Sequence, residues 1–295
     1  MAHGTPAGPD EIAPFYTRIR RGSPPSAAQL DELVGRYEAI GGASPLTERT
    51  EAQVAGIRAA LERRAPGRFA VAFGAKHTEP SIETAAAELV ARRPDRVIGL
   101  VLTPHASSLG SGEYLQRAAA ATAPLPFVAV EHWYEQPGFV ALMASRLTDA
   151  LSSAPERTHV LFTAHSLPER IRQAGDPYPD QLEASARLVA ASAGVADWSL
   201  AWQSAGRTPE PWLGPDVRDE VRRLAASGEM AAVVVCPIGF VADHLEILYD
   251  LDIELAAVAE TCGLAVTRTA APNDDPRFAD ALADTIAGAD AGEED

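Results

Sequence analysis

Short, wholly apolar runs alternate along this chain with longer stretches whose apolar positions recur at helical spacing. The runs "RFAVAFG" (68–74), "RVIGLVLTP" (96–104), "FVAV" (127–130), "HVLFTAH" (159–165), "WSLAWQS" (198–204) and "AAVVVCP" (231–237) are rich in β-branched residues and leucine. Runs of this kind, without polar alternation, predict strands covered on both faces, as in parallel sheets. The stretches "SIETAAAELVARR", "EYLQRAAAAT", "GFVALMASRLTDAL", "QLEASARLVAASAG" and "DVRDEVRRLAAS" predict helices between them. Strand–helix alternation points to an α/β fold with parallel sheets.

The two halves echo one another. "AHGTP" at 2–6 is answered by "AHSLP" at 164–168, "GAKHTEP" at 74–80 by "SAGRTPEP" at 204–211, and "VIGLVLTPHASS" by "VVVCPIGFVADH". Three matches in the same order suggest a duplicated unit. The expected architecture is therefore two Rossmann-like domains, 1–150 and 151–295, with a hinge near 145–157 and a cleft between them. Ligands of open α/β sheets sit beyond the carboxyl ends of the strands. His3, His105, His165 and the 237–246 segment all fall at such ends. The strand that should precede "AHGTP" is almost missing, so either the true start lies upstream or this domain lacks most of one strand.

The segment "VADHLEILYDLDIE" (241–254) sets Glu246, Asp250 and Glu254 four residues apart on an expected helix. Like charges at that spacing oppose each other by roughly 0.2–0.5 kcal/mol per pair, and few basic residues lie nearby to relieve them. A solvated helix face is one reading, but Leu245, Leu248 and Leu251 occupy another face. An EF-hand loop is excluded by the missing glycine and ligand spacing. A file of carboxylates serving divalent cations or protons fits best. Four-residue steps drift by about 40° each on an α-helix; a local π-bulge would bring the three acids into register. Asp243 and Asp252, off that face, are expected to be solvated. His165 is either a core histidine on a backbone carbonyl or a proton acceptor or metal ligand. The nearby carboxylates favour the second reading, because oxygen ligands with one imidazole suit an exchanging metal better than a structural zinc.

Composition narrows the function classes. The formal net charge of −16 argues against nucleic acid and anionic lipid as partners. No apolar run is long enough to span a membrane, and the N-terminus shows no signal peptide, so the cytoplasm is the expected location. The 2 cysteines, Cys236 and Cys262, fall short of the four that an all-cysteine iron–sulfur cluster requires. No GxSxG elbow, GxGxxG or Walker loop is present.

The long motifs "FTAHSLPERI", "GDPYPDQLEASARLVA", "WQSAGRTPEPWLGPDV", "PIGFVADHLEILYDLDIE", "RYEAIGGASPL" and "YTRIRRG" resemble ferrochelatases of the Gram-positive, coproporphyrin-using type, from Met1 to about Ala281. The resemblance implies a soluble, monomeric enzyme with Fe²⁺ and coproporphyrin III as its substrates, no cofactor beyond that iron, no iron–sulfur cluster, and at most transient contact with neighbouring haem-pathway enzymes. It makes His165 and Glu246 a facing metal-site pair, with Asp250 and Glu254 continuing the acidic file. It sets Arg20, Arg36, Tyr37, Ser44 and Tyr114 around the porphyrin and its carboxylates, which guanidinium groups read well. It also implies that a C-terminal helix over 275–290 packs back on the first domain. Many such relatives carry Tyr as an axial iron ligand where this chain has His3, and imidazole can also ligate iron. The competing readings are a protoporphyrin IX ferrochelatase, a cobalt or sirohydrochlorin chelatase, and a non-catalytic haem or metal carrier.

Overall fold

In a computed structural model that describes residues 1–292, the strands form two separate sheets, each wholly parallel. In the first, β1 (Val97–Leu100) pairs in register with β2 (Phe127–Val130). In the second, the order is β4 (Trp198–Gln203), β3 (Thr158–His165), β5 (Ala232–Cys236) and β6 (Ala265–Arg268). The fold is thus α/β with parallel sheets, as the apolar runs require.

The central strand β3 explains why its run carries no polar alternation. Val160, Phe162 and Ala164 point to one face, where they pack with Leu142, Leu147 and Leu182. Leu161 points to the other, against Val217, Val221 and Leu255. Both faces are covered by helices, so Val160, Leu161, Phe162 and Ala164 are all apolar for the same reason, with Thr163 a buried polar exception. The short edge strand β6 escaped the sequence reading: its residues alternate between exposed and half-buried, and "AVTR" is too brief to stand out.

The strand expected at 68–74 needs correction. Residues 69–74 make no strand; only Met1–His3 runs beside them, with hydrogen bonds confined to Ala2 N–H on the Gly74 carbonyl, Lys76 N–H on that of Ala2 and His77 N–H on that of His3. On its other side Met1 accepts from Leu102 N–H, and its amino group donates to the Leu100 carbonyl at 2.7 Å. The three residues therefore fill a strand position between 74–77 and 100–102, and bring His3 to the sheet's carboxyl edge. The segment 145–157, expected as a hinge between 1–150 and 151–295, begins inside a helix. The apolar face of "GFVALMASRLTDALS" keeps the helix Pro137–Ser152 unbroken through most of it. That helix packs on Tyr178–Ala193 and on β5, so it travels with the second sheet.

The helix Pro276–Ala291 lies on Leu46–Arg64 and on Pro137–Ser152. Phe278 and Leu282 enter a core with Ile57, Leu61, Trp133 and Phe139, while Arg63 and Arg64 take Asp280 and Arg64 also takes Asp284. The chain end thereby ties a helix of the first half to one that serves the second. Leu282→Ala should lower stability by ~2–5 kcal/mol, the usual result of emptying a fully buried leucine site, whereas the exposed Arg277→Ala should stay within about 0.5 kcal/mol. Urea titrations of both variants check the contrast.

Candidate active site

A cleft of about 1100 Å³ opens at the carboxyl ends of both sheets. Its walls include His3 from the N-terminal segment, His165 from the end of β3, and His244 and Glu246 from the segment that follows β5. Two close approaches shape these walls. Gly4 has φ +85°, and a Cβ there would fall 2.2 Å from the Thr78 hydroxyl oxygen; only glycine fits the turn that aims His3 inward. At Gly239 a Cβ would lie 2.5 Å from that of Ala164, so glycine lets the 239–244 segment run directly over β3.

The three histidines share one arrangement. Nδ1 of His3 lies 3.1 Å from the Gly4 carbonyl, that of His165 2.5 Å from the Ser166 carbonyl, and that of His244 2.8 Å from the Ala242 carbonyl. A carbonyl only accepts, so each Nδ1 carries a proton and each Nε2 is left for other work. Nε2 of His165 stands 3.5 Å from one Glu246 oxygen, and Nε2 of His244 stands 3.6 Å from the other. The Glu246 main chain is held in turn by Gln203 Nε2 at 2.9 Å, and the Tyr178 hydroxyl donates to the His165 carbonyl at 3.0 Å.

Burial and charge compete at this pair. Burial opposes an imidazolium at His165, but the Glu246 carboxylate outweighs it and lifts the group to about 9. Burial would raise Glu246, yet His165 and His244 hold it well below the usual carboxylate range. Burial lowers His3 instead. Its ring contacts that of His77, with centroids 4.7 Å apart, and burial together with His3 lowers His77 to about 3. His105 lies at the same edge, 1% exposed, with neither ring nitrogen hydrogen-bonded, and burial lowers it to about 3.

The acidic file continues as anticipated in backbone but not in surroundings. A π-helix runs over Asp250–Leu255, where the Tyr249 carbonyl accepts from both Ile253 N–H at 3.3 Å and Glu254 N–H at 2.9 Å. Burial and the charge of Glu246 push Asp250 up to about 6. The expected shortage of basic partners is wrong, because the partners come from distant parts of the chain. Arg36 Nη1 reaches Asp250 at 3.3 Å, Ser204 donates to its other oxygen at 2.5 Å, and Arg218 meets Glu254 at 3.2 Å. Asp252 is exposed, as expected, but it is not without a partner: Arg268 takes it at 2.6 Å, and takes the half-buried Asp243 at 3.1 Å. Neither Asp250 nor Glu254 lines the cleft, and both stand behind Glu246.

Of the remaining expected residues, Arg20, Arg36 and Ser44 line the cleft, and so do the buried Tyr37 and Tyr114. Tyr37 shares a hydrogen bond with Thr5 at 3.2 Å, and burial raises both tyrosines. Sequence reasoning passed over His244, Ser204 and Lys76. Lys76 is held by Glu113 at 2.8 Å above the Tyr114 ring, and faces the cleft from the "GAKHTEP" motif.

The family profile described as ferrochelatase matches residues 1–289. The chain belongs to the ferrochelatase family. Relatives include the coproporphyrin III ferrochelatases of Geobacillus kaustophilus, 43% identical over 97% of this chain and 93% of the relative, and of Bacillus subtilis, 43% identical over 97% and 95%. A protein from Herpetosiphon aurantiacus named ferrochelatase is 40% identical over 98% of this chain and 97% of its own. Among solved structures, SirB from Bacillus subtilis with Fe³⁺ superposes with a TM-score of 0.59 at 13% identity, covering 82% of this chain and 91% of that one, a likeness of fold alone.

The His165–Glu246 pair has a pH signature. A folded value near 9, against about 6.5 for a free histidine, means its stabilisation is fully present below about pH 6.5. It is lost as pH rises through 9. The stability difference between the wild type and Glu246→Gln, measured by urea titration of protein free of metal and porphyrin, should therefore shrink from pH 6.5 to pH 9.5. A difference that stays flat across that range would show that Glu246 does not hold the His165 proton.

Proposed function

We propose that this chain catalyses insertion of ferrous iron into coproporphyrin III, giving iron coproporphyrin III in haem biosynthesis. The observation that carries the reading is the facing of His165 Nε2 and the Glu246 carboxylate in the wall of a cleft with room for a macrocycle, in a member of this family. Coproporphyrin III bears four propionates, which need cations. In a chain of net charge −16, Arg18, Arg20, Arg21, Arg36, Arg207 and Lys76 all line this cleft. That concentration favours the tetracarboxylate over a porphyrin with two acid groups.

Insertion replaces two pyrrole N–H protons with one Fe²⁺, so the site must take up protons on the ring and deliver a dication. With Glu246 as its counter-ion, His165 begins protonated at neutral pH and cannot accept another proton. Fe²⁺ arriving at Glu246 supplies the positive charge that His165 had been supplying. The cause of the raised pKa is then gone, His165 sheds its proton to solvent in the cleft, and its Nε2 takes the two pyrrole protons one after the other, passing the first to solvent before accepting the second. Arginines on the propionates and the tyrosine-lined walls would sustain a bent macrocycle, whose lone pairs tilt toward the metal. Asp250 and Glu254 would pass iron in or protons out behind Glu246. His3, neutral and with a free Nε2, is the axial ligand candidate for the iron of the product.

The enzyme works as a cytoplasmic monomer without a resident cofactor or iron–sulfur cluster, and meets neighbouring haem-pathway enzymes only transiently. In support, no helix among the described residues is long and apolar enough to cross a membrane, and the exposed large hydrophobics, Ile19, Leu188 and Ile253, sit on separate elements.

Anaerobic turnover of coproporphyrin III with Fe²⁺, followed by the porphyrin spectrum, tests the reading. His165→Ala and Glu246→Gln should each slow it by ~10²–10⁴-fold, and the wild type should prefer coproporphyrin III to protoporphyrin IX. Near-normal rates in both folded variants would refute the roles. Tight binding of the iron porphyrin without any insertion would instead identify a carrier.

A further inference from the structure

Arg36 has more than one claim upon it. Its guanidinium lies over the Tyr249 ring, 4.9 Å from the centroid, with Nη1 on Asp250 at 3.3 Å and Nη2 on Glu32 at 3.1 Å. Glu32 is held on its far side by Arg207, from the loop after β4. Arg36 also lines the substrate cleft, with its side chain 26% exposed, while Asp250 is 7% exposed and lies outside the cleft wall. One cation thus touches the substrate chamber at one edge and the acidic file at the other.

We infer that Arg36 is a gating residue: its guanidinium passes from Asp250 to a substrate carboxylate, so that porphyrin binding frees Asp250 for iron. The inference rests on the proposed chelatase function and deepens it. In the empty site the Asp250 oxygens are both occupied, one by Arg36 and one by Ser204, and a dication meets a carboxylate already neutralised. A propionate in the cleft offers Arg36 a partner of the same chemistry. Glu32 and the Tyr249 ring keep the guanidinium in place as it turns, so the exchange needs a change of hydrogen-bond partner rather than a movement of the helix Ala27–Ala39. Release of Asp250 restores a negative charge next to Glu246 only when a porphyrin is present to receive the metal. Iron and porphyrin sites become coupled, and the coupling is reciprocal.

The reciprocal arm gives a test that needs neither iron nor turnover. Coproporphyrin III binding to metal-free protein would be followed by its Soret band for the wild type, Asp250→Asn, Arg36→Met and the double variant. If Asp250 competes for Arg36, Asp250→Asn should tighten binding by about three- to tenfold, the scale of one partly exposed ion pair. In the Arg36→Met background, which keeps the other cleft cations and so retains measurable binding, the same change should have no effect. Equal tightening in both backgrounds would mean simple removal of a repelling charge, and would overturn the exchange; so would no tightening in either. The chelatase reading fails separately, by the absence of Fe²⁺ insertion in the wild type.

Discussion

Three carboxylates at 246, 250 and 254 face one way in a setting that water only partly reaches, and much of the site is arranged around giving each a positive partner. Glu246 has His165 and His244, Asp250 has Arg36, and Glu254 has Arg218. Each partner comes from a different element: the end of β3, the segment after β5, the helix Ala27–Ala39 and the helix Val217–Ser227. An unpaired buried carboxylate would be strongly disfavoured. Asp250 is the buried one of the three, and pairing it brings Arg36 from the first half of the chain to a segment of the second. The same charges that would otherwise repel one another bind the cleft's walls into a single body.

The segment carrying them is fixed from behind as firmly as from the front. Arg268 on β6 bridges Asp243, just ahead of His244, to Asp252 in the π-helix. Asn273 pairs with Asp243 through both its side chain and the Asp243 N–H, and Gln53, from the first half, donates to the Val241 and Asn273 carbonyls. Asp243 and Asp252 are thus structural anchors for the residues between them. Holding Glu246 in one place matters because its distance from His165 decides whether an imidazole is cationic or free to accept a proton.

Much of this was legible in the sequence, and the gaps have a pattern. Apolar runs covered on both faces marked β3, β4 and β5, and the long motifs brought His165, Glu246, Arg36 and Tyr37 to one place before any coordinate was known. Even the π-helix followed from the mismatch between four-residue steps and the α-helical turn. What the sequence hid was long-range. The counter-charges for Asp250 and Glu254 lie 214 and 36 residues away, so the file looked starved of cations. The strand expected at 68–74 failed because a strand exists only with a neighbour, and its neighbour here is Met1–His3.

Charge separation across Glu246 has a consequence for two substrates of opposite sign. The cleft in front is lined by arginines, and the acidic file stands behind, outside the cleft wall. Under the proposed function, a porphyrin tetra-anion is drawn to the front, whereas Fe²⁺ meets an acidic file whose rear members are paired until Arg36 leaves Asp250. Within a molecule of net charge −16, such local fields decide approach better than the total charge does. Added salt screens these attractions. Arg36 sits on the boundary between the two fields, so it is the side chain best placed to let occupancy on one side be felt on the other.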